Sequence, residues 1–180
     1  MATRGTTLII PGWQNSGPEH WQSRWQREHP DYRRVEQRNW DVPDRAQWVA
    51  TLESAVAGAP APVTLVAHSL GCALVAHWAA LATPARAKVT GALLVAPPDV
   101  ERADMPPEVL GFRPLPLAPL PFRSKLVASD DDPYCALDAA RGLAARWGCQ
   151  FVALSGAGHL NTDAGYGPWP AGEALLAALR

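Results

Sequence analysis

Ser69 lies at the junction of two segments with different hydrophobic patterns. The short run Val63 to His68 is apolar, which is typical of a buried strand, whereas the apolar residues from Cys72 to Leu81 recur with a period that favours a helix. The chain has to turn sharply between them, so the hydroxyl of Ser69 is predicted to point out at the C-terminal edge of a sheet. Small neighbours are needed at such a turn. Ala67 and Gly71 provide them, with alanine where glycine is usual.

An ordinary strand-to-helix turn, with Ser69 as a helix N-cap, is the other interpretation of this segment. The polar residues that follow favour a catalytic one. An acidic cluster, Asp130-Asp131-Asp132, comes after one apolar run, and Gly156-Ala-Gly-His159 comes after another. Serine, acid and histidine in this order are typical of the α/β-hydrolase triad. Because the C-terminal ends of parallel strands meet at one edge of a sheet, we expect the three groups to gather there.

Strand-length apolar runs recur along the chain, and most are continuous rather than alternating. They cover Thr6 to Ile10, Val63 to His68, Val89 to Val95, Lys125 to Ser129 and Gln150 to Leu154, with a weaker run at Tyr32 to Gln37. Runs that are apolar on both faces suit buried parallel strands. The sequence therefore predicts an α/β fold with a doubly wound parallel sheet of about six strands.

Helical patterns occupy the intervals between these runs. They cover Pro18 to Glu28, Pro43 to Val56 with Asp41 as N-cap, Cys72 to Leu81, Leu137 to Arg146 before a stop at Gly148, and Pro170 to Leu179. The segment 97–121 differs, because it holds eight of the 18 prolines and has no helical or strand period. We interpret it as a proline-stiffened wall or short cap over the site, and a surface crossover is the alternative.

The chemistry expected of these residues is nucleophilic. A serine hydroxyl needs an imidazole to take its proton, and His159 is the candidate base. An imidazolium needs an orienting carboxylate, and Asp132 is our choice because Pro133 fixes the chain after it. Asp131 is the second candidate and Asp130 the third. Whichever carboxylates are not used are expected to be a solvated pair that favours a turn.

An oxyanion hole needs two N–H groups. Leu70, which follows the serine, is expected to supply one. The loop Pro11-Gly12-Trp13 after the first strand is expected to supply the other, from Trp13 or alternatively from Gly12. The substrate pocket is predicted to include Gly12, His20, Trp21 and Trp40. His68 is expected to point to the opposite side of its strand.

Composition narrows the class of partner. The length of 180 residues suits one domain spanning 1–180, and 16 basic residues against 17 acidic residues give no electrostatic case for nucleic acid or membrane. A small, mostly neutral substrate is expected. The apolar run near the N-terminus is too short for a signal-peptide core, which predicts a cytoplasmic protein. Three cysteines without metal-ligand spacing predict buried free thiols, with no metal and no cofactor.

Five longer motifs point to a particular family. They are Pro11-Gly-Trp-Gln-Asn-Ser-Gly-Pro-Glu-His-Trp-Gln22, Arg38-Asn-Trp-Asp-Val-Pro43, Ala67-His-Ser-Leu-Gly-Cys72, Asp131-Asp-Pro-Tyr-Cys135 and Gly158-His-Leu-Asn161. With these motifs the chain resembles the small serine hydrolases related to retinoblastoma-binding protein nine and the bacterial YdeN-type proteins, over nearly its whole length.

This resemblance implies a compact α/β-hydrolase fold with a six-stranded parallel sheet and no large lid domain. It also implies Ser69 as nucleophile, His159 as base and Asp132 as acid, with esterase-like or amidase-like activity. The expected function is therefore hydrolysis of a small ester or amide through an acyl-enzyme at Ser69. A binding protein that kept the fold, and an enzyme that transfers the acyl group to an acceptor other than water, are the alternatives.

Overall fold

A six-stranded, all-parallel sheet forms the centre of the structure, a computed structural model that describes residues 5–179. The strands are β1 (Thr6–Ile10), β2 (Tyr32–Arg34), β3 (Val63–His68), β4 (Val89–Val95), β5 (Arg123–Ser129) and β6 (Gln150–Leu154). Their order across the sheet is β2-β1-β3-β4-β5-β6. The predicted fold class is confirmed, and β1, β3, β4 and β6 have the bounds read from the sequence.

Five α-helices cover both faces of the sheet. They are α1 (Trp21–Glu28), α2 (Arg45–Gly58), α3 (Leu70–Ala79), α4 (Leu137–Trp147) and α5 (Pro170–Ala177). One core cluster joins α2, α3 and α4 to strand residues such as Leu65 and Leu94, while the other joins α1 and α5 to Val66 and Leu93. Neighbouring residues of one strand thus pack on opposite layers, which explains why the apolar runs are continuous.

Three helix starts differ from the prediction, since α1 and α2 begin later than expected and α3 begins at Leu70 rather than at Cys72. The first two differences come from capping. Asp44, not Asp41, is the N-cap of α2, and its carboxylate accepts a 2.8 Å hydrogen bond from the amide of Gln47. The first helix begins three residues later than predicted, because the side chain of His20 caps it by accepting from the amide of Gln22. Each cap satisfies an amide that the helix itself leaves unpaired.

Strand order reverses at the boundary between β1 and β3. The chain moves outward from β1 to β2, then returns to β3 and continues through β4, β5 and β6. A crevice forms at such a switch point, outside the carboxyl ends of the strands. The loop after β1 and the turn after β3 flank this crevice, and the loops after β5 and β6 reach the same edge.

The proline-rich segment 97–121 contains a short 3-10 helix, Pro107–Phe112, and no strand. It is fastened to the helical layer at several points. The imidazole of His77 contacts the carbonyl of Phe112 at 2.8 Å, and the Arg45 guanidinium donates to the carbonyl of Arg113 at 2.9 Å. The Phe112 ring also packs edge-on against Trp48. These contacts hold the segment against α2 and α3.

None of the helices within residues 5–179 has both the length and the apolar character needed to cross a membrane.

Candidate active site

The backbone at Ser69 is strained, because the chain turns sharply there from β3 into α3. Ser69 has φ 53° and ψ −127°, in a region that side chains other than glycine rarely enter. Its amide donates a 2.9 Å hydrogen bond to the carbonyl of Val95, and its carbonyl accepts from the amide of Cys72 at 2.8 Å. The backbone on both sides of the serine is therefore fixed to β4 and α3, so strain is retained where the hydroxyl emerges.

Two glycines allow the chain to come close to this turn. A Cβ atom at Gly71 would lie 2.3 Å from the carbonyl oxygen of Ile10. A Cβ atom at Gly12 would lie 2.9 Å from both the amide nitrogen of Leu70 and the Cβ of Ser69. The loop after β1 and the start of α3 can therefore approach each other only with glycine at both positions.

Replacing Gly71 should damage the fold. We expect Gly71→Ala to lower the free energy of unfolding by about 3 kcal/mol, because backbone, rather than a flexible side chain, blocks the added methyl group. Urea denaturation followed by circular dichroism measures this loss. Gly142→Ala is the matched control, since nothing lies within 4 Å of a Cβ at this exposed position of α4 and alanine favours helix there. Equal stabilities for the two variants would contradict the close packing at Gly71.

Ser69, His159 and Asp132 form one chain of hydrogen bonds. The Nε2 atom of His159 lies 2.8 Å from Oγ of Ser69, and its Nδ1 lies 2.9 and 3.0 Å from the two carboxylate oxygens of Asp132. Because a carboxylate only accepts, Nδ1 carries the proton and Nε2 is free to accept from the serine hydroxyl. The Asp132 side chain is 1% exposed and that of His159 is 9% exposed, so water is largely excluded from this pair.

The other two aspartates of the cluster have different partners. Oδ1 of Asp131 accepts from the hydroxyl of Ser129 and from the amide of Gly158, the latter at 2.7 Å. Asp130 accepts from the Gly156 amide at 2.9 Å and from the Ser155 hydroxyl at 2.8 Å. Both aspartates are exposed, as expected of a solvated pair, and in addition both accept from the loop that carries the histidine.

Two candidate oxyanion donors flank Ser69. Leu70 is the first residue of α3, so its amide has no acceptor within the helix. In the loop after β1, Gln14 and Asn15 have φ values of 65° and 64°, and their amides donate to the carbonyls of Trp40 and Gly12. This turn brings Trp13 into the lining of the cavity beside Ser69.

A polar network that the sequence did not reveal holds the loop after β1. The buried Gln22 amide group donates to the carbonyls of Ile10 and Val66 and accepts from the hydroxyl of Ser16. Arg34, at the end of β2, donates to Asn15 and also to the Ser16 carbonyl and the Ser23 hydroxyl. Burial lowers the pKa of this guanidinium. The network ties the loop to β1, β2 and β3, and only tertiary structure brings its members together.

A cavity of about 310 Å³ opens above the serine and contains both polar and apolar walls. The proline-rich segment supplies an apolar wall of Pro98, Met105, Pro106 and Val109. The loops after β1 and β6 supply polar groups, namely Gln14, Asn15, Asn161, Thr162 and Asp163. Among the described residues, no lysine or arginine lines this cavity. The segment 97–121 therefore forms a wall of the cavity, as interpreted from the sequence.

The four predicted pocket residues lie in different places. His20 lines the cavity, and Gly12 lies directly beneath Ser69 and Leu70. Trp21 is fully buried, and its indole N–H donates to the carbonyl of Leu160 at 2.9 Å. Trp40 packs edge-on against Trp48, and neither Trp21 nor Trp40 lines the cavity. The prediction that Trp21 and Trp40 line the pocket is therefore wrong, because Trp21 is buried in one core layer and Trp40 packs, partly buried, against the other.

His20 is a neutral group at the edge of the site. Its Nδ1 accepts from the Gln22 amide, so the proton of the ring is on Nε2. Burial lowers its pKa to about 3, with nearby Arg34 adding to this effect. The Nε2 atom has no hydrogen-bond partner among the described residues.

His68 has a larger role than the sequence indicated. Its Nε2 donates a 2.8 Å hydrogen bond to the carbonyl of His159, and the two rings lie 4.9 Å apart. Burial holds the pKa of His68 well below its usual value, with smaller contributions from His20 and His159. The expectation that His68 points away from the site is therefore wrong, because the loop after β6 folds back over the end of β3.

Comparison with known proteins shows the family to which the chain belongs. The sequence profile of a family described as serine hydrolase matches residues 7–178. The chain belongs to the serine hydrolase family. The resemblance noted from the sequence motifs is confirmed at the level of the YdeN-like hydrolases, since one from Pectobacterium atrosepticum is 31% identical, with a TM-score of 0.85 over 97% of this chain and 89% of that one.

More distant members of the fold are also similar to the chain. The ydeN gene product of B. subtilis is 19% identical, with a TM-score of 0.77 over 98% of both chains. A deformylase from Pseudomonas putida S16 is 14% identical, with a TM-score of 0.71 over 97% of this chain and 92% of that one. At these identities the likeness shows the fold alone. The search of curated proteins gives no match.

One group among residues 5–179 has the donor atoms of a metal site. It consists of Glu28, His29 and Glu173 and lies at the end of α1, away from the cavity. The His29 imidazole already contacts the Glu173 carboxylate at 3.1 Å. Nothing further in this group points to a ligand.

Proposed function

We propose that this serine hydrolase cleaves a small ester or amide through an acyl-enzyme at Ser69. The observation that carries the proposal is the continuous set of hydrogen bonds from Ser69 Oγ through His159 to Asp132. A hydroxyl becomes a useful nucleophile at neutral pH only when a positioned base takes its proton as the new bond forms. This arrangement supplies that base.

The first half of the reaction forms the acyl-enzyme. Nε2 of His159 takes the proton of Ser69 while Oγ attacks the acyl carbon, and the carbonyl electron pair moves onto oxygen. The amides of Leu70 and Trp13 stabilise this oxyanion. The tetrahedral species then collapses, and the histidine gives its proton to the departing alcohol or amine.

The second half returns the free enzyme. Water attacks the acyl carbon as His159 takes its proton, and the acid product leaves as the proton passes back to Ser69 Oγ. The carboxylate of Asp132 holds the ring orientation and stabilises the imidazolium in both halves. Each half adds one molecule and releases another, so no cofactor is required.

The cavity favours a small substrate without negative charge. Its volume is about 310 Å³, and Asp163 is a carboxylate in its lining that no lysine or arginine of that lining balances. A carboxylate or phosphate on the substrate would lose water contacts and gain no cationic partner. We therefore propose a short acyl group, with the apolar wall from the proline-rich segment beside it.

The acyl chain length should control the rate. We expect kcat/KM for nitrophenyl esters to fall by at least about 10-fold between butyryl and octanoyl groups, because the apolar wall consists of only four residues and a longer chain would also contact the polar walls. Initial rates across the acyl series measure this. Val109→Ala, which removes two methyl groups from the apolar wall, should reduce the difference. Rates that stay equal or rise with chain length would contradict the proposed substrate size.

Reaction with a fluorophosphonate probe tests the proposed chemistry directly. The wild-type protein should be labelled on one serine, and peptide mass analysis should place the label on Ser69. Absence of labelling in a folded wild-type sample would instead support a binding protein that retains the hydrolase fold.

A further inference from the structure

Side chains from elsewhere in the fold bind the backbone of residues 156–160, a segment that includes the candidate base His159. We call residues 155–160 the histidine loop. On one side, the amides of Gly156, Ala157 and Gly158 donate to side-chain oxygens at the end of β5. On the other side, the carbonyls of His159 and Leu160 accept from ring N–H groups of the core. Side chains thus bind five successive backbone groups of this loop, while the Leu160 amide donates to the Ala157 carbonyl within it.

The first side is built from three adjacent residues. Asp130 accepts from Gly156, Ser129 Oγ accepts from Ala157 at 2.8 Å, and Asp131 accepts from Gly158 at 2.7 Å. The Ser129 hydroxyl in turn donates to Oδ1 of Asp131. These residues immediately precede Asp132, so the same short segment that supplies the acid also holds the loop that supplies the base.

The groups that bind the two carbonyls are ring N–H groups of His68 and Trp21, which are buried beneath the loop. His68 Nε2 donates to the carbonyl of His159 itself, and the Trp21 indole donates to the carbonyl of the next residue, Leu160, at 2.9 Å. His68 is the last residue of β3 and directly precedes Ser69. This hydrogen bond therefore fixes the backbone of His159 to the end of β3, next to Ser69.

The histidine loop needs such support because of its backbone conformation. Gly156, Gly158 and Leu160 have φ values of 62°, 53° and 47°. A Cβ atom at Gly158 would lie 2.9 Å from Cβ of Ala164, so the loop also passes close to the chain that follows. A segment with these φ values belongs to no regular structure, and its geometry depends on the groups that bind it.

We propose that Asp131 and His68 are positioning residues for His159, acting through the Gly158 amide and the His159 carbonyl to keep the imidazole aligned between Ser69 and Asp132. This inference rests on the proposed function of His159 as a base. The hydrogen bonds of these two side chains go to the backbone of the histidine loop and to Ser129, not to Ser69 Oγ or the His159 imidazole. Their effect is on the alignment of two hydrogen bonds, and a displacement of about 1 Å at such a site costs up to about 10²-fold in rate.

The ionisation of the aspartates suits this function. Hydrogen bonds from the Ser129 hydroxyl and then the Gly158 amide lower the pKa of Asp131, and bonds from the Gly156 amide and the Ser155 hydroxyl lower that of Asp130. A lowered pKa in the folded state means that these bonds are fully formed above the usual aspartate pKa and are lost only as pH falls below it. The loop is therefore held throughout the neutral range.

Replacement of Asp131 tests the proposal without disturbing the core, because this residue is exposed. We expect Asp131→Ala to lower kcat at neutral pH by about 10- to 100-fold with KM changed less than twofold, since ring alignment rather than substrate binding is lost. Asp131→Asn should restore most of the rate, because its amide oxygen can still accept from Gly158 and Ser129. Asp138→Ala, at an exposed aspartate in the first turn of α4, is the matched control and should leave kcat unchanged.

Two further measurements separate positioning from general stability. The His159 Nδ1–H proton should give a downfield NMR signal in the wild type and in Asp131→Asn, and this signal should be broadened or lost in Asp131→Ala while the melting temperature stays close to that of the wild type. For His68, the Gln variant, which keeps an N–H donor, should retain more activity than the Leu variant at similar melting temperature.

The possible failures are distinguishable. A wild type that does not react with fluorophosphonate would overturn the proposed function. A wild type that reacts normally, together with an Asp131→Ala variant that has the same kcat and the same downfield signal, would overturn the positioning proposal alone. Equal loss of activity in Asp131→Ala and Asp131→Asn would also overturn it, because charge rather than the hydrogen bond to Gly158 would then be the cause.

Discussion

Ser69→Ala should reduce kcat for a good ester substrate by at least about 10⁴-fold and abolish fluorophosphonate labelling. The expected loss is this large because the variant keeps the oxyanion donors and the cavity but has no atom that can form the acyl bond. Residual turnover would then come from water attacking the bound ester. Stopped assays with purified protein and mass analysis of the labelled sample measure both effects.

The backbone at this position provides a useful control. Ser69 has φ 53°, where an alanine is as strained as the serine, whereas glycine adopts this conformation without strain. Ser69→Gly should therefore be at least as stable as Ser69→Ala and equally inactive. His159→Ala should lose labelling as well, since the hydroxyl would keep its proton. A Ser69→Gly protein that is folded and still forms an acyl-enzyme would refute the assignment of the nucleophile.

Asp132→Asn should also be strongly damaging, with an expected loss of about 10⁴-fold in kcat. The reason lies in how the carboxylate is held. Its Oδ1 accepts from the Tyr134 amide at 2.9 Å, and Oδ2 lies 2.9 Å from Nδ1 of His159. In the variant, the Tyr134 amide keeps the side-chain oxygen on its own side, which turns the NH₂ group towards Nδ1. That NH₂ donates to Nδ1, so the ring proton moves to Nε2 and the histidine no longer accepts from Ser69.

The matched control is Asp131→Asn, one residue away. Its oxygen can accept from both Gly158 and Ser129 as the carboxylate does, so we expect a loss of at most about 3-fold. Steady-state kinetics of the two variants, side by side on one ester, make the comparison. Were Asp131→Asn the more damaging of the two, Asp131 would be the catalytic acid and the hydrogen-bond assignments at His159 would have to be revised.

The sequence identified the three candidate residues because each follows a strand. Continuous apolar runs predicted the parallel strands, and the carboxyl ends of such strands share one edge, so Ser69, an aspartate of the cluster and His159 had to lie near each other. Choosing among Asp130, Asp131 and Asp132 was harder, since all three occupy the same turn. In the structure, the carboxylate at Nδ1 of His159 is that of Asp132.

The groups that support the site were not predictable in the same way. Trp21 was expected in the pocket and His68 away from the site, yet both donate to the histidine loop. Asp130 and Asp131 are exposed as expected, but the sequence did not reveal that both also accept from that loop. These hydrogen bonds join segments that are far apart in sequence. The backbone group that each side chain binds depends on how the loops pack against each other, which no local pattern of residues predicts.

Local sequence thus determined the strands, the approximate positions of the helices and the order of the candidate nucleophile, acid and base, because periodicity and chain order act over a few residues or along the chain itself. Tertiary structure alone decided which aspartate pairs with the imidazole, which walls enclose the cavity and which side chains hold residues 155–160. Those outcomes depend on distances of about 3 Å between segments far apart in sequence, and such distances are set only when the layers pack around the sheet.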